Sequence, residues 1–414
     1  VVQKKKEILV SKLLFFMLIG SFGAFSNFIN LYLEQVVGLT GSQIGFITFA
    51  GLMVTVVMNP IWGYVADKTG KHVLLLKGAF LSAVVMGALY GRSRHFLLIV
   101  IVSVLFEGLR APIMPLLEYL SSNYCEKHRY DFGKVRVFAS WGFLLVAMTT
   151  GFMVAGLQVE WLGQSFNFPS FLSLEVATFG IFIAMHALGF GLLFFLPKQG
   201  IDSNEKMAKN KHAFGRKDVR QLLKNRPFVF ILLLTMIGFM GVESAFSYAT
   251  MHLVTVLGAS ESIVSWVAFF MVAPELILLP FGTVLMRRVG FKKWYVLTLL
   301  TMMFRLSVYA FATMPLLFAL GGGVHGIMIV MHVTGTVAYI RKVVPAHTLG
   351  LAFAMLASSM ALSRAFLSFF FGWLYENINS FAVFRVAILL VFIAFVMAVK
   401  SEYLKEIGNE ISAF

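Results

Sequence analysis

The amino-acid sequence predicts an all-α membrane protein with about twelve transmembrane helices arranged as two pseudo-symmetric six-helix halves. Three observations predict it: an apolar surplus too large for a core, a series of apolar runs of spanning length, and a loop motif that recurs half a chain later. Of 414 residues, 59% are hydrophobic and 13% charged, against about 45–50% and about 25% in soluble domains. With 44 Phe and 22 Met, the surplus must face lipid, which excludes an ordinary water-soluble enzyme.

The first apolar run, 13–33, is longer than a signal-peptide core and lacks a small-residue cleavage site, so it is expected to be a retained span. Further runs fall at 43–65, 73–91, 96–120, 136–156, 174–196, 227–256, 263–286, 294–311, 315–341, 347–375 and 380–400. Their length and continuity suit helices, not the short alternating segments of a barrel. Turn and charge signals such as Gly38 to Ser42 and Arg287 to Lys293 separate them.

The chain carries 34 Lys and Arg against 19 Asp and Glu, a formal charge of +15. In a soluble chain that excess would suggest nucleic acid; here the cations lie in short loops, where they set orientation. Lys4, Lys5 and Lys6 precede the first span, Lys68 and Lys71 follow the second, Lys127, Arg129 and Lys134 the fourth, and Arg287, Arg288, Lys292 and Lys293 the eighth. The opposite helix ends are nearly bare, Arg92 and Arg94 excepted, so both termini are predicted to be cytoplasmic. Residues 1–197 form the expected amino-terminal half, 198–226 a cytoplasmic linker, 227–402 the carboxyl-terminal half and 403–414 a cytoplasmic tail. The linker reads as a solvated tether, with Arg216 to Leu223 able to form a short basic amphipathic helix. Leu157 to Leu172, with Trp161, Phe166, Phe168 and Phe171 and no cation, reads as an aromatic belt at the outer interface.

The repeat supports the division. Gly63, Asp67, Lys68, Gly70 and Lys71 follow the second span; Gly282, Arg287, Arg288 and Gly290 follow the eighth, without the acid and with one extra residue before the last glycine. Two helical halves repeated in one orientation describe a transporter of the rocker type. Gly63 would allow a close helix approach, Asp67 can cap a helix N-terminus or pair with a cation, and Lys68 and Lys71 suit anionic headgroups.

This first copy matches the G-x-x-x-D-[RK]-x-G-[RK] signature of the major facilitator superfamily at every fixed position. The resemblance implies the major facilitator fold, with the motif steadying one state of a two-state cycle. Asp131 to Phe143, including Gly133, Arg136 and, in place of the usual glycine, Ala139, resembles the fifth-helix segment of the lactose permease and phenylpropionate permease group. Glu118 precedes Gly133 by the separation found there for a fourth-helix substrate glutamate, so Glu118 and Arg136 resemble that group's substrate-site pair. Ala273-Pro274-Glu275 resembles the eighth-helix carboxylate segment, Arg305 the ninth-helix arginine and His325 the tenth-helix histidine, and the stretch through His332 to Arg341 looks like the phenylpropionate-type members. Glu243 aligns roughly with a seventh-helix acid, and Arg364 lies about one turn from the eleventh-helix basic position. One departure matters: Met328 stands where lactose permease has a proton-coupling carboxylate and Gly322 where it has a lysine, so that relay does not transfer whole.

Apart from any family, an ionisable side chain in a spanning helix costs roughly 2.5–3.5 kcal/mol even on the lenient insertion scale and normally faces a partner or a cavity. The candidates are Glu107, Arg110, Glu118, Arg136, Glu243, Glu275, Arg305, His325 and Arg364. Glu107 and Arg110, at i and i+3, read as a local pair. Arg136, near a helix end, either binds or snorkels. Glu275 follows Pro274, which breaks helical bonding as binding segments often do. His325 follows Gly321, Gly322 and Gly323, a run that lets the helix bend or pack tightly. Asn27 and Asn30 either line a cavity or hold helices together.

A single cysteine, Cys125, excludes an internal disulfide and a zinc cluster, and no metal or cofactor is expected. No nucleotide loop, GxSxG elbow or HExxH helix appears, so the chain is not expected to be an enzyme. The expected function is proton-coupled import of a small polar organic solute, a sugar or small organic anion, by alternating access. Glu118, Arg136, Asn27, Glu275, Arg305 and His325 are its candidate binding residues, and Glu275, Glu118 and His325 its coupling residues. Its partners are the solute, protons and the bilayer, with no nucleic acid; a monomer in a bacterial inner membrane is expected. An exporter or carrier of an amphipathic solute, and a sensor that keeps the fold, are the alternatives.

Overall fold

The computed structural model describes residues 2–161, 164–196, 216–345 and 348–404. Twelve helices among the described residues are long and apolar enough to cross a membrane. In chain order they are α1 (Val2–Gln35), α2 (Gly41–Thr69), α3 (His72–Arg92), α4 (Phe96–His128), α5 (Gly133–Ala155), α6 (Val176–Phe195), α7 (Arg226–Phe246), α8 (Ser262–Val289), α9 (Phe291–Phe311), α10 (Pro315–Val343), α11 (Leu349–Asn377) and α12 (Ser380–Lys400). Each expected apolar run falls on one of them. The chain divides into two compact units, Val1–Lys211 with Ser260–Phe269, and His212–Ala259 with Phe270–Phe414.

Local signals start and stop these helices. Thr40 and Gln43 form a reciprocal capping box at α2, Asn225 accepts from the Phe228 amide at α7, and Asn379 accepts from the Ala382 amide at α12. Gly70 ends α2 at φ 63° in the left-handed helical conformation and Gly290 ends α8 at φ 86° in a more extended one; a side chain would be strained at either positive φ. Gly38 and Gly258 also have positive φ, and both pairs share one spacing, 220 positions (258 − 38 and 290 − 70). The chain turns identically there: Leu39 N–H bonds to Leu33 O and Ala259 N–H to Leu253 O, while Val37 bonds to Tyr32 O and Leu257 to His252 O. The degenerate repeat thus preserves backbone geometry where the side chains have diverged.

In the first unit α1 packs on α5 with little between the backbones. A Cβ at Gly142 would collide with Phe16 O, and one at Gly23 would stand 2.7 Å from Phe143 O, so both positions must lack side chains for this crossing. Beyond it Phe25, Tyr90, Phe106, Phe179 and Phe182 from α1, α3, α4 and α6 interlock with ring centroids 5.1–6.2 Å apart. Gly63 behaves differently from expectation: open space surrounds the point where its Cβ would stand, so in this structure the glycine admits no close neighbour.

The second unit is built around interruptions. Pro274 lies inside α8 and cannot donate to the Phe270 carbonyl; a Cβ on Gly323 would stand 3.8 Å from that oxygen. α10 is broken at Gly322 between Pro315–Gly321 and Gly323–Val343. Gly321 packs on Val308 and Tyr309 of α9, and Gly326 on the Met271 and Glu275 backbone of α8. The glycine run interrupts the regular helix at Gly322 and packs it tightly, the second of which the sequence suggests. Tyr309 stacks on Phe318 at 3.9 Å and 8°.

One connection differs from expectation, and another takes the helical alternative that the sequence offers. The segment expected at the outer interface forms an antiparallel hairpin, β1 (Leu157–Trp161) paired with β2 (Gln164–Phe168). Its side chains, and with them most of the expected aromatic belt, lie outside the described ones; Phe171, beyond the hairpin, is exposed. Arg216–Lys224 is a helix with Leu222 buried, more ordered than a plain tether; the rest of the linker to residue 215, and the tail from 405, lie outside the described residues.

Gly142→Val should destabilise the protein by about 1–3 kcal/mol or prevent folding, as overpacking does. Gly191→Ala, where a Cβ meets nothing within 4 Å, should leave thermal unfolding of the detergent-purified protein unchanged or slightly raised. Equal melting temperatures for both would contradict the close α1–α5 crossing.

Candidate functional site

The first unit holds its embedded charges as local pairs. Arg136 Nε, one turn into α5, lies 3.5 Å from Glu118 Oε1 on α4, and the two side chains are 40% and 44% exposed. The guanidinium also lies over the Phe15 ring of α1 at 5.5 Å. The expected pair is therefore present, loosely held and half open. Nearer the start of α4, Arg110 bonds Glu107 at 2.6 Å and lies over Phe22 and Phe106 at 4.7 and 4.9 Å, which is the expected i, i+3 pair. Asn27 is buried and donates to the Gly23 carbonyl of its own helix at 2.7 Å.

At the motif loop, Gly70 supplies the left-handed turn, Lys68 lies over the Tyr64 ring at 5.6 Å, and Lys71 precedes α3 without a side-chain cap bond. The Asp67 side chain lies outside the described ones. His72, which follows the motif, stacks on Tyr119 at 4.7 Å.

The second unit brings three helices to one polar cluster. Arg305 of α9 is fully buried. Its Nη1 donates to His325 Nδ1 of α10 at 2.8 Å, and its Nε to the Tyr309 hydroxyl at 3.4 Å. The guanidinium lies over the Phe246 and Tyr309 rings at 4.7 and 5.2 Å, a desolvated setting in which cation–π attraction is strongest. Glu243 of α7 completes it, with Oε1 3.9 Å from His325 Nδ1. Arg305 Nη2 and Glu243 Oε1 are buried with no hydrogen-bond partner, so the cluster retains unused donor and acceptor capacity.

Glu275 is half-buried on α8, its backbone against Gly326, the residue after His325. Arg364 of α11 has its Nε buried without a partner, beside Ser363, which donates to the Met236 carbonyl of α7 at 2.7 Å. Met328 is fully buried, so an apolar side chain fills the position where the resemblance would put a carboxylate.

Sequence reading missed several members. Tyr309 and Phe246 flank Arg305, and Tyr309 stands four residues on from it, a spacing that puts them on one helix face. His332, seven residues after His325, is buried and stacks flat on Phe239 at 3.9 Å; the same spacing marks it. His186 is buried between Phe182 and Phe80. Arg94 bonds Glu175 at 2.6 Å, the Gly91 carbonyl at 2.7 Å and the Tyr32 hydroxyl. That structural tie accounts for one of the two cations, Arg92 and Arg94, at ends otherwise nearly bare of them.

Removing one partner of a buried ion cluster leaves the other uncompensated, at about 3–5 kcal/mol. Arg305→Met should therefore lower the melting temperature sharply, and the double variant Arg305→Met with Glu243→Gln should recover much of the loss. Additive losses in thermal unfolding would show that the two charges do not sense each other.

Comparisons with known proteins agree with this architecture. A family model described as MFS_1 like family matches residues 8–386. The chain is 26% identical over 377 residues to a maltose permease of Geobacillus stearothermophilus, covering 91% of this chain and 89% of that one. It is 24% identical over 134 residues to a probable 3-phenylpropionic acid transporter of Escherichia coli strain K12, covering 32% of this chain and 35% of that one. The crystal structure of a mutant of the nucleoside transporter NupG superposes with a TM-score of 0.79 at 15% identity, covering 95% of this chain and 99% of that one. Twelve apolar helices with charges held inside them, and a family match across nearly the whole chain, make this an integral membrane transporter of the major facilitator superfamily, belonging to its MFS_1-like family.

Proposed function

We propose that this transporter imports a small polar organic solute, a sugar or small organic anion, together with protons by alternating access. The observation that carries the reading is Arg305, a guanidinium fully buried in a spanning helix and held by a histidine with a carboxylate close by. A membrane protein retains so costly a group where a polar solute or an ion must be handled. The same buried charges weigh against an amphipathic or lipid-like solute, which asks for an apolar lining. The relatives' names, a maltose permease and a probable 3-phenylpropionic acid transporter, fit the two solute classes.

In this reading Arg136, Glu118 and Asn27 of the amino-terminal half, and Arg305, His325 and Glu275 of the other, contact the solute. Glu275, Glu118 and His325 carry the coupling proton, with Glu243 and Arg364 in support. Asp67, with Gly63, Lys68, Gly70 and Lys71, tunes the conformational equilibrium without touching the solute. Residues 1–197 and 227–402 act as the two moving halves, joined by the linker 198–226. The protein works as a monomer in a bacterial inner membrane, with both termini and the tail 403–414 in the cytoplasm.

A thermal-shift screen of sugars, nucleosides, amino acids and aromatic acids on purified protein identifies the solute. Uptake of that solute into proteoliposomes under an imposed pH gradient should then be concentrative, and an uncoupler at constant sodium should abolish the accumulation. Glu275→Gln should impair accumulation more than exchange. Concentrative uptake that survives the uncoupler ends the proton reading.

A second measurement separates binding from snorkelling at Arg136. A guanidinium grips a carboxylate or a hydroxyl pair through two donors, whereas lysine offers a point charge. Arg136→Lys should weaken solute binding roughly tenfold or more, within what hydrogen bonds to charged groups contribute. Lysine snorkels as well as arginine does, so a wild-type affinity in the folded variant removes Arg136 from the site.

A further inference from the structure

The contact between Arg305 and His325 fixes the state of the imidazole. A guanidinium has five donors and no acceptor, so the 2.8 Å approach of Arg305 Nη1 to His325 Nδ1 is a hydrogen bond only if Nδ1 carries a lone pair. The ring is then neutral, with its proton on Nε2. Glu243 Oε1, 3.9 Å from the same Nδ1, faces a nitrogen with nothing to donate, which is why that oxygen is buried without a hydrogen-bond partner.

A proton on Nδ1 reverses both relations. The new N–H repels the guanidinium and presents a donor to the carboxylate, and closing 3.9 Å to the 2.7–2.9 Å of a charge-assisted bond takes about 1 Å of side-chain movement. One nitrogen has one in-plane position, so the two bonds exclude each other. The groups brought to this ring are Arg305 from α9, whose Nε also donates to the Tyr309 hydroxyl, and Glu243 and the stacked Phe246 ring from α7. α8 lays the Glu275 backbone against Gly326, α11 carries Arg364, and α10 itself offers only the buried Met328 one turn on.

We propose that His325 Nδ1 is a single site contested by Arg305 and a proton, and that Glu243 is the carboxylate that holds the protonated ring, so that proton uptake releases the Arg305 guanidinium to the solute. The inference deepens the proton-coupled reading and rests on it. One proton enters from water, one N–H···N bond breaks and one N–H···O bond forms. The Arg305, His325 and Glu243 group passes from neutral to singly positive, so the released guanidinium attracts an anionic or hydroxylated group when the proton is present and is tied to the ring when it is not.

Solid-state NMR of the full chain in lipid bilayers, with 15N-labelled histidine, tests this without any solute. The His325 signals are assigned by their loss in His325→Gln. At alkaline pH the ring should be the Nε2–H tautomer with an unprotonated Nδ1. On acidification Nδ1 should gain a proton whose signal lies far downfield, as a carboxylate-bound N–H does. Glu243→Gln should keep the alkaline tautomer and lose that downfield position. An Nδ1–H ring at alkaline pH, or an unaltered acid-state signal in Glu243→Gln, overturns the proposal; if the variant does not fold, the wild-type tautomer decides alone. Uncoupler-insensitive uptake with these ring states intact rejects the coupling and spares the switch, whereas coupled uptake with an Nδ1–H ring rejects the switch alone.

Discussion

A guanidinium enclosed in a lipid-embedded bundle is the constraint on which the carboxyl-terminal half depends. Arg305 has no exposed surface, and its charge cannot be neutralised by losing a proton. Every element around it answers that charge: an imidazole lone pair, a phenol oxygen, two ring faces and a carboxylate. Other embedded charges of the chain are answered as well, by shorter routes. Glu107 and Arg110 pair within one helix, Glu118 and Arg136 between neighbours, and buried Glu7 lies 2.5 Å from His128 Nε2 and 3.5 Å from Lys127 Nζ. Arg110 Nε and Arg364 Nε are also buried without a partner, but the Arg305 group joins an unused donor, Arg305 Nη2, to an unused acceptor, Glu243 Oε1, in one cluster.

Holding three helices close enough to share one guanidinium requires that backbones meet. Gly326 lets α10 lie on the backbone of α8, and Gly321 lets it lie on α9. Pro274 in α8 and the break at Gly322 fall in the same region, so the helix interruptions and the buried charge occur together. Interruptions of this kind are tolerated in a membrane only where protein or a polar cavity satisfies the freed groups. Packing and chemistry are thus one arrangement: larger side chains at these glycines would push away the helices that compensate Arg305.

Much of this was legible in the sequence because the bilayer imposes one-dimensional rules. Span length, apolarity and the motif loops follow from hydrocarbon thickness and headgroup charge, and each expected run became a helix. The Glu118–Arg136 and Glu107–Arg110 pairs were legible because they lie on one helix or on consecutive ones. Glu243 was only weakly legible. Its neighbour His325 is distant in sequence, and the contact depends on the three-dimensional meeting of α7, α9 and α10, which no periodicity reports. Phe246 was hidden for another reason: among so many phenylalanines, a ring that lies over a cation looks like one that faces lipid. The hairpin of 157–168 escaped because an aromatic, cation-free segment suits an interfacial loop as well as two short strands.

The internal duplication shows which features the architecture itself requires. Gly38 and Gly258, and Gly70 and Gly290, keep positive φ at a fixed spacing, and the hydrogen bonds that close the turns at Gly38 and Gly258 are the same in both halves. These positions are set by where the chain must turn, and a turn of that hand favours glycine, although Arg129 adopts it at φ 50°. The residues on that frame have diverged. Tyr32, which donates to the Gly91 carbonyl and receives Arg94, corresponds to His252, which bonds Ser380. Asp67 corresponds by the same register to Arg287, an exchange of charge sign at one turn. The frame therefore fixes only where polar groups can be presented, and the chemistry is free to become asymmetric. In this chain the asymmetry is an open ion pair in one half and a buried, partly unsatisfied cluster in the other.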